Sequence, residues 1–388
     1  VAPKAGKIKK VTTNQILGTT EWTLSNGVRV VIKPTEFKQD EILFSAFSKG
    51  GQSLVATEDL VSAALATDVI SVSGIADMTM TDLQKALTGK NISLSPSINA
   101  NTESIEGGTT VKDLETLLQL NYLYFTAPRR DENAYAMLMS VLESQLANRD
   151  KNPKVAFSDS VSMMANNYSP RTVIFNQEAL THADLDKSLE IYKARFANPA
   201  DFIFTFVGNV NPDDEAFQQL VCTWLGSLKT SKKKEAVRDN GDRVPEGINK
   251  NYFSRRMETK TASNRIQYTS YDIPYTLANE LNMEMIGRIL STRYLESIRE
   301  REGGSYGVGC AGGLQVYPVA KAYLLMQFDT DPDKQVKLMN IIHEEVNTIV
   351  ENGPLAKDLN KEKESMLKDF QEDLEKNSYW DSALYMYY

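Results

Sequence analysis

Histidine, the side chain most often used to ligate zinc or to act as a base near neutral pH, occurs twice in these 388 residues, as His182 and His343. A zinc helix of the H-E-x-x-H or H-x-x-E-H kind needs two histidines on one face, four residues apart, beside a carboxylate base. Neither histidine has such a partner: Glu344 and Glu345 follow His343, but no second imidazole stands near, and no metal-ligating set is expected in the chain. A serine or cysteine triad would have to draw its base from the same pair. His182 sits in Thr181-His182-Ala183-Asp184, where Thr181 is expected to cap a helix and leave the imidazole at the surface.

Two glycine-rich features remain. Gly307-Val308-Gly309-Cys310-Ala311-Gly312 matches G-x-G-x-x-G, with Asp329 further on. A dinucleotide fingerprint requires a strand before the glycines and a helix after them, so that the helix N-terminus meets the pyrophosphate. Here a helix is expected before and a strand after, so no nucleotide cofactor is expected. The run from Arg299 through Gly303-Gly304 to Tyr306 carries more: an arginine in a last helical turn, two glycines that let the chain reverse, and a tyrosine on the strand beyond. Guanidinium and phenol are both donors able to hold a peptide carbonyl or a developing oxyanion. The same two side chains also suit a structural role, the arginine complementing the helix dipole and the tyrosine packing on the sheet.

The elements around these residues fall into a repeat. An Asn26-Gly27 turn between β-prone runs opens the chain with a hairpin. A strand over 42–47, helices over 57–72 and 80–87, strands over 91–100 and 103–110, a helix over 111–125, and a core-facing amphipathic helix from Asp131 follow. A buried strand over 201–208 lies between helices over 182–196 and 212–225. After a polar stretch containing Lys232, Lys233 and Lys234, the order recurs: strand 264–271, helices from Tyr275 and Arg293, strands 305–316 and 320–329, then a helix after Pro332 and another after Pro354. The expected fold is α+β, two repeated α/β units, each with a mixed, largely antiparallel sheet packed with helices. The first spans residues 12–228, a linker 229–250, and the second 251–388. The second is expected to lack the last strand and flanking helices of the first, which leaves the closing aromatic run Tyr385 to Tyr388 without partners.

Composition narrows the remaining classes. With 43 Lys plus Arg against 51 Asp plus Glu, the net charge of −8 argues against nucleic-acid binding, which needs a basic face. No apolar run approaches the ~18 residues of a spanning helix, so membrane insertion is not expected. Two cysteines make no disulfide framework, and Cys222, among Leu220, Val221, Trp224 and Leu225, reads as a buried small hydrophobe.

Ile298-Arg299 through Tyr306-Gly307-Val308 resembles the Leu/Ile-Arg-x-x-x-Gly-Gly-Thr/Ser-Tyr-Gly-Val run in the C-terminal half of pitrilysin/insulinase-family zinc metallopeptidases, including processing-peptidase-like bacterial members. Trp22 to Val30, the Phe-Val-Gly-Asn strand ending at Asn209, Leu225-Gly226-Ser227-Leu228 and Asn377-Ser378-Tyr379-Trp380 extend the resemblance over about residues 20–388. The resemblance implies one half of a clam-shaped peptidase, the other, N-terminal half carrying the zinc motif and being either fused or a separate subunit. It also implies that Arg299 and Tyr306 bind the carbonyl of a peptide substrate, and that zinc belongs to the parent enzyme's other half. At the place where the zinc motif would stand, the helix reads Leu60-Val61-Ser62-Ala63-Ala64-Leu65-Ala66-Thr67-Asp68, so the chain alone is expected to be inactive. A noncatalytic peptide-binding or scaffold subunit of the same fold is the alternative. A periplasmic or cell-envelope location would follow for an exported bacterial enzyme.

Overall fold

The computed structural model describes residues 2–300 and 307–388 and divides them into two compact units. The first comprises the chain up to Ala147, residues 173–238 and residues 372–388; the second comprises residues 148–172 and 239–371.

Seven strands form the first unit's sheet: β1 (Ile8–Asn14), β2 (Thr19–Leu24), β3 (Arg29–Pro34), β4 (Ile42–Lys49), β5 (Ile92–Ile98), β6 (Thr102–Thr109) and β7 (Ile203–Gly208). Their order is β1-β2-β3-β7-β4-β6-β5, with every neighbouring pair antiparallel except β3 and β7. The expected hairpin joins β2 to β3. Gly27 takes the left-handed φ of +88° that the turn requires, and Asn26 donates its amide to the carbonyls of Leu225 (2.9 Å) and Leu228 (3.0 Å).

The helices of the first half are α1 (Leu60–Ser73), α2 (Met80–Ala86), α3 (Leu114–Thr126), α4 (Glu132–Leu146), α5 (Pro153–Ala165), α6 (Gln177–Leu180), α7 (Leu185–Arg195) and α8 (Glu215–Trp224). Most begin on a side-chain cap, with Asp131, Asn152, Asn176 and Asp214 each accepting a backbone N–H of the first turn. Two expectations change here. Asp184, not Thr181, caps α7, because its carboxylate reaches the N–H of Lys187 at 2.7 Å, and His182 lies in the turn before it. The amphipathic α4 meets the core only in part: none of its residues is fully buried, Tyr135 and Leu138 of its apolar stripe pack against the core, and Met137 and Val141, outside that stripe, are exposed.

In the second unit, β8 (Ala262–Ser270), β9 (Gly309–Gln315) and β10 (Lys321–Thr330) form an antiparallel sheet in the order β8-β10-β9. Helix α9 (Leu277–Tyr294) precedes β9, and α10 (Gln335–Asn352) and α11 (Ala356–Asp373) follow β10. The order β8-β10-β9 matches β4-β6-β5, and each set encloses helices between its first two strands and sends helices from its third. The repeat read from sequence is therefore a repeat of topology. Leu290, Tyr294, Ile298, Val308, Leu324, Met326, Phe328, Leu338 and Ile342 make the second core.

The glycine run ends in β9, where it answers to packing. A Cβ on Gly312 would stand 2.1 Å from the Met283 carbonyl oxygen of α9, and one on Gly287 of α9 would stand 2.6 Å from the Gly312 nitrogen. Helix and strand cross at backbone contact, which only glycine permits. Gly312→Ala is expected to destabilise the protein by about 1–3 kcal/mol, whereas Gly307→Ala, whose Cβ would meet nothing among the described residues, should stay within about 0.5 kcal/mol. Denaturant titration of the two variants checks this; equal midpoints would refute the close-crossing account.

The closing helix, α12 (Asn377–Tyr387), belongs to the first unit and corrects the expectation of an unpartnered aromatic end. Strand β7 is apolar on both faces: Phe204 and Phe206 point into the helix-covered core, while Ile203 and Val207 point the other way with Val31 and Phe47. That second face needs a cover, and α12 provides it through Leu384, Trp380, Tyr385 and Tyr388. Polar links fix the register: Asn377 donates to Glu41 (2.8 Å), Tyr385 to Thr102 (3.2 Å), and Tyr388 to Glu21. Lys33 lies 3.8 Å from the centre of the Trp380 ring.

Asp381 sits at the middle of this contact, accepting from Ser45 (3.1 Å) and Thr205 (3.4 Å). Burial raises its carboxyl pKa above the usual carboxylate value, and Glu106 raises it further against those two hydrogen bonds. A raised native pKa means that the folded protein holds this proton more tightly. Its stabilising contribution is complete below the unfolded pKa of about 3.9 and is lost as pH rises through the native value. Asp381→Asn is expected to flatten the fall in melting temperature over that window and to leave the protein at least as stable at neutral pH. An unchanged pH profile would contradict this.

Candidate functional site

Arg299 lies in a π-helical turn, Leu295–Glu300, that continues α9. Leu290, Tyr294 and Ile298 anchor this end in the second core, and the Tyr294 hydroxyl donates to the Ile342 carbonyl at 3.1 Å. Ile298 is fully buried while the next residue, Arg299, is exposed, so an anchored helix end presents a guanidinium to solvent. π-Helical turns occur often at functional sites because the extra residue re-aims the side chains that follow it.

A polar network beneath the turn holds it in place. Arg293, in the last turn of α9, donates through Nε and Nη2 to the Glu345 carboxylate of α10 (3.1 and 3.3 Å) and through Nη1 to Glu296 (3.0 Å), with Asp358 of α11 at 4.0 Å. Thr292 donates to Glu362 (3.1 Å) and Arg288 to Asp369 (2.7 Å). The bond to Glu345, aided by the neighbouring carboxylates, raises the Arg293 pKa, so its charge is permanent. Sequence reading passed over this network. The Arg293/Glu296 and Arg288/Glu284 spacings were its local signals, and the carboxylates on α10 and α11 come from residues 52 to 81 positions away.

Tyr306 and the glycines 303–304 lie outside the described residues; Val308, just beyond, is buried in the same core as Ile298. The G-x-G-x-x-G run continues into an antiparallel edge strand and not into a helix, so no helix N-terminus faces it. Of the histidines, His182 lies in the first unit, exposed, and His343 lies on α10 of the second, its Nδ1 2.7 Å from the Tyr268 hydroxyl. Among the described residues no group of three or more His, Cys, Asp or Glu is placed to hold a metal ion. The described residues do not fit zinc. Burial pushes the Cys310 thiol up to about 12 and also raises Cys222, so neither is a thiolate at neutral pH. No helix among the described residues is long and apolar enough to cross a membrane.

Comparison with known proteins agrees with this arrangement. Residues 183–366 match the family model of the peptidase M16 inactive domain. The chain is 24% identical over 382 residues to a zinc protease PQQL-like protein of Arabidopsis thaliana, covering 94% of this chain and 37% of that one. It is 23% identical over 345 residues to the probable zinc protease PqqL of Escherichia coli strain K12, covering 88% and 36%. It thus spans little more than a third of the length of these curated relatives. The crystal structure of the periplasmic protease PqqL from Escherichia coli superposes with a TM-score of 0.83 at 20% identity, over 98% of this chain and 41% of that one, which establishes the fold. The likeness read from the Arg299 run thus agrees with the comparisons: residues 183–366 match the model of the peptidase M16 inactive domain, within a chain similar over nearly its whole length to zinc proteases of the PqqL kind.

Proposed function

We propose that the protein is the non-zinc half of a zinc-dependent metalloendopeptidase, with Arg299 and Tyr306 donating hydrogen bonds to the scissile carbonyl of a peptide whose zinc site lies in a separate N-terminal half. The observation that supports this reading is an exposed Arg299 in a helical turn whose base is clamped by Arg293, inside the stretch that matches the peptidase M16 inactive domain. In this role the chain binds and orients. A guanidinium seven residues before a phenol supplies two donors to a carbonyl oxygen, and neither group takes a proton from water. With no zinc motif of its own, the chain alone is inactive. Its relatives' names as zinc proteases support the parent activity, and the periplasmic setting of the Escherichia coli relative supports an exported location.

Peptide hydrolysis with added zinc, by the chain alone and mixed with a zinc-bearing half from the same source, tests this. Activity confined to the mixture is expected. Activity of the chain alone would refute the assignment, and silence in both would favour a scaffold subunit of the same fold.

A further inference from the structure

Helices α5 and α12 stand at equivalent places in the repeat: α3, α4 and α5 follow β6 of the first copy, and α10, α11 and α12 follow β10 of the second. The division into units exchanges the last member of each set. Residues 148–172, with α5, belong to the second unit, and residues 372–388, with α12, belong to the first. Each exchanged helix packs on the matching strand of the sheet that receives it, α12 on β4 and β7, and α5 on β8, the counterpart of β4.

Side chains fasten both helices where they pack. In the first unit Leu384 of α12 is buried among Val31, Phe47, Ile203 and Val207, and Asp381 accepts from Ser45 and Thr205. In the second unit the Asn251 amide donates to the Ser160 hydroxyl of α5 (2.6 Å), Lys154 of α5 donates to Asp329 of β10 (3.3 Å), and Ser169, beyond α5, donates to Asp242. The chain thus passes from one unit to the other after residues 147, 172, 238 and 371. If the second unit unfolded alone, the first would have to close two disordered loops, of about 25 and about 130 residues, to keep its sheet and α12 together, an entropy cost that the folded second unit removes. If the first unfolded alone, the second would have to hold α5 across a disordered loop of about 65 residues.

We infer that this reciprocal exchange of helices couples the two units, so that they unfold in one transition and a change confined to either is felt as stability in the other. Helix α12 carries the coupling into the first unit and α5 carries it into the second. Whatever binds and stabilises one unit therefore also stabilises the other. Two cores joined by a single tether would lack this property, because each could open with the other intact.

The two cysteines report on the units separately. Cys222 lies buried in α8 of the first unit, Cys310 lies in β9 and packs against the second core, and both are free thiols. The test is pulse labelling of each thiol along a denaturant titration of the full chain, read by mass spectrometry. Hydrogen exchange of β10 and α10 is measured alongside and decides the midpoint of the second unit wherever it differs from Cys310 at the sheet edge. Coincident midpoints are expected for the two units. Leu384→Ala, whose packing partners all lie in the first unit, should lower both midpoints by the same shift, and so should Leu338→Ala in the second core. Two separate transitions in the unaltered protein would overturn the inference, and this comparison needs no variant to fold. So would a Leu384→Ala shift confined to Cys222, or a Leu338→Ala shift confined to β10 and α10.

Discussion

Arg299→Ala, assayed with the zinc-bearing half, is expected to lower kcat by roughly 10²-fold, the usual cost of removing one preorganised donor to a developing oxyanion. Tyr306→Phe should do the same on a similar scale, since only its hydroxyl is removed. The split between parameters distinguishes this role from simple binding: a donor used mainly in the transition state lowers kcat and kcat/KM together, whereas a ground-state contact raises KM alone. Zinc content of the mixture should be unchanged. Arg299→Lys should recover part of the loss, because an ammonium keeps the charge but not the planar fork of donors. Arg299 is exposed, so its removal should leave the melting temperature nearly unchanged. Unaltered kinetics in both variants would remove the assigned roles.

Arg293 is different in kind. It meets Glu345, Glu296 and Asp358 but points away from solvent, so its loss would leave partly buried carboxylates uncompensated. Its effect on turnover would come through the placement of the turn that carries Arg299, and would be accompanied by lost stability.

Leu384→Ala is the second large effect. This side chain is fully buried among Val31, Phe47, Ile203 and Val207, against the face of the first sheet that α12 covers. Truncation should cost about 2–5 kcal/mol, the range for a leucine whose cavity cannot collapse onto a rigid sheet. The neighbouring Tyr385 ring, 4.6 Å from that of Phe47, restricts such a collapse. Denaturant titration should show a lower midpoint with an unchanged slope. A shift below about 0.5 kcal/mol would mean that α12 does not dock as described.

Local chemistry was legible in the residues themselves. Asn26-Gly27 marked a turn because that pair tolerates left-handed backbone, and Gly27 adopts it. The strand and helix order of both units followed from hydrophobic period and from helix-stopping prolines such as Pro128. The absence of a zinc helix followed from the histidine count alone. That Arg299 stands in helix before strand β9 was also readable from the order of the elements.

Contacts between residues far apart in sequence were decided by the tertiary structure. The polarity of α4 promised a buried face, of which Tyr135 and Leu138 pack on the core without being fully buried, since periodicity says that a helix has an apolar stripe and not what meets it. The aromatic run at residues 385–388 read as unpartnered because its partners are strands more than 170 positions earlier, joined to it only when β7 places apolar side chains on both faces of the first sheet. Likewise the glycine run, already rejected as a phosphate loop, had no reason of its own until the helix crossing at Gly287 supplied one for Gly312. By itself the sequence determined which segments are helix, strand and turn, that they form two copies of one unit, and that no two histidines stand at the spacing of a zinc helix. Which faces those segments bury, and which carboxylates hold the Arg299 turn, were settled by the tertiary structure alone, because burial and ion pairing depend on distances in space that no local spacing of residues encodes.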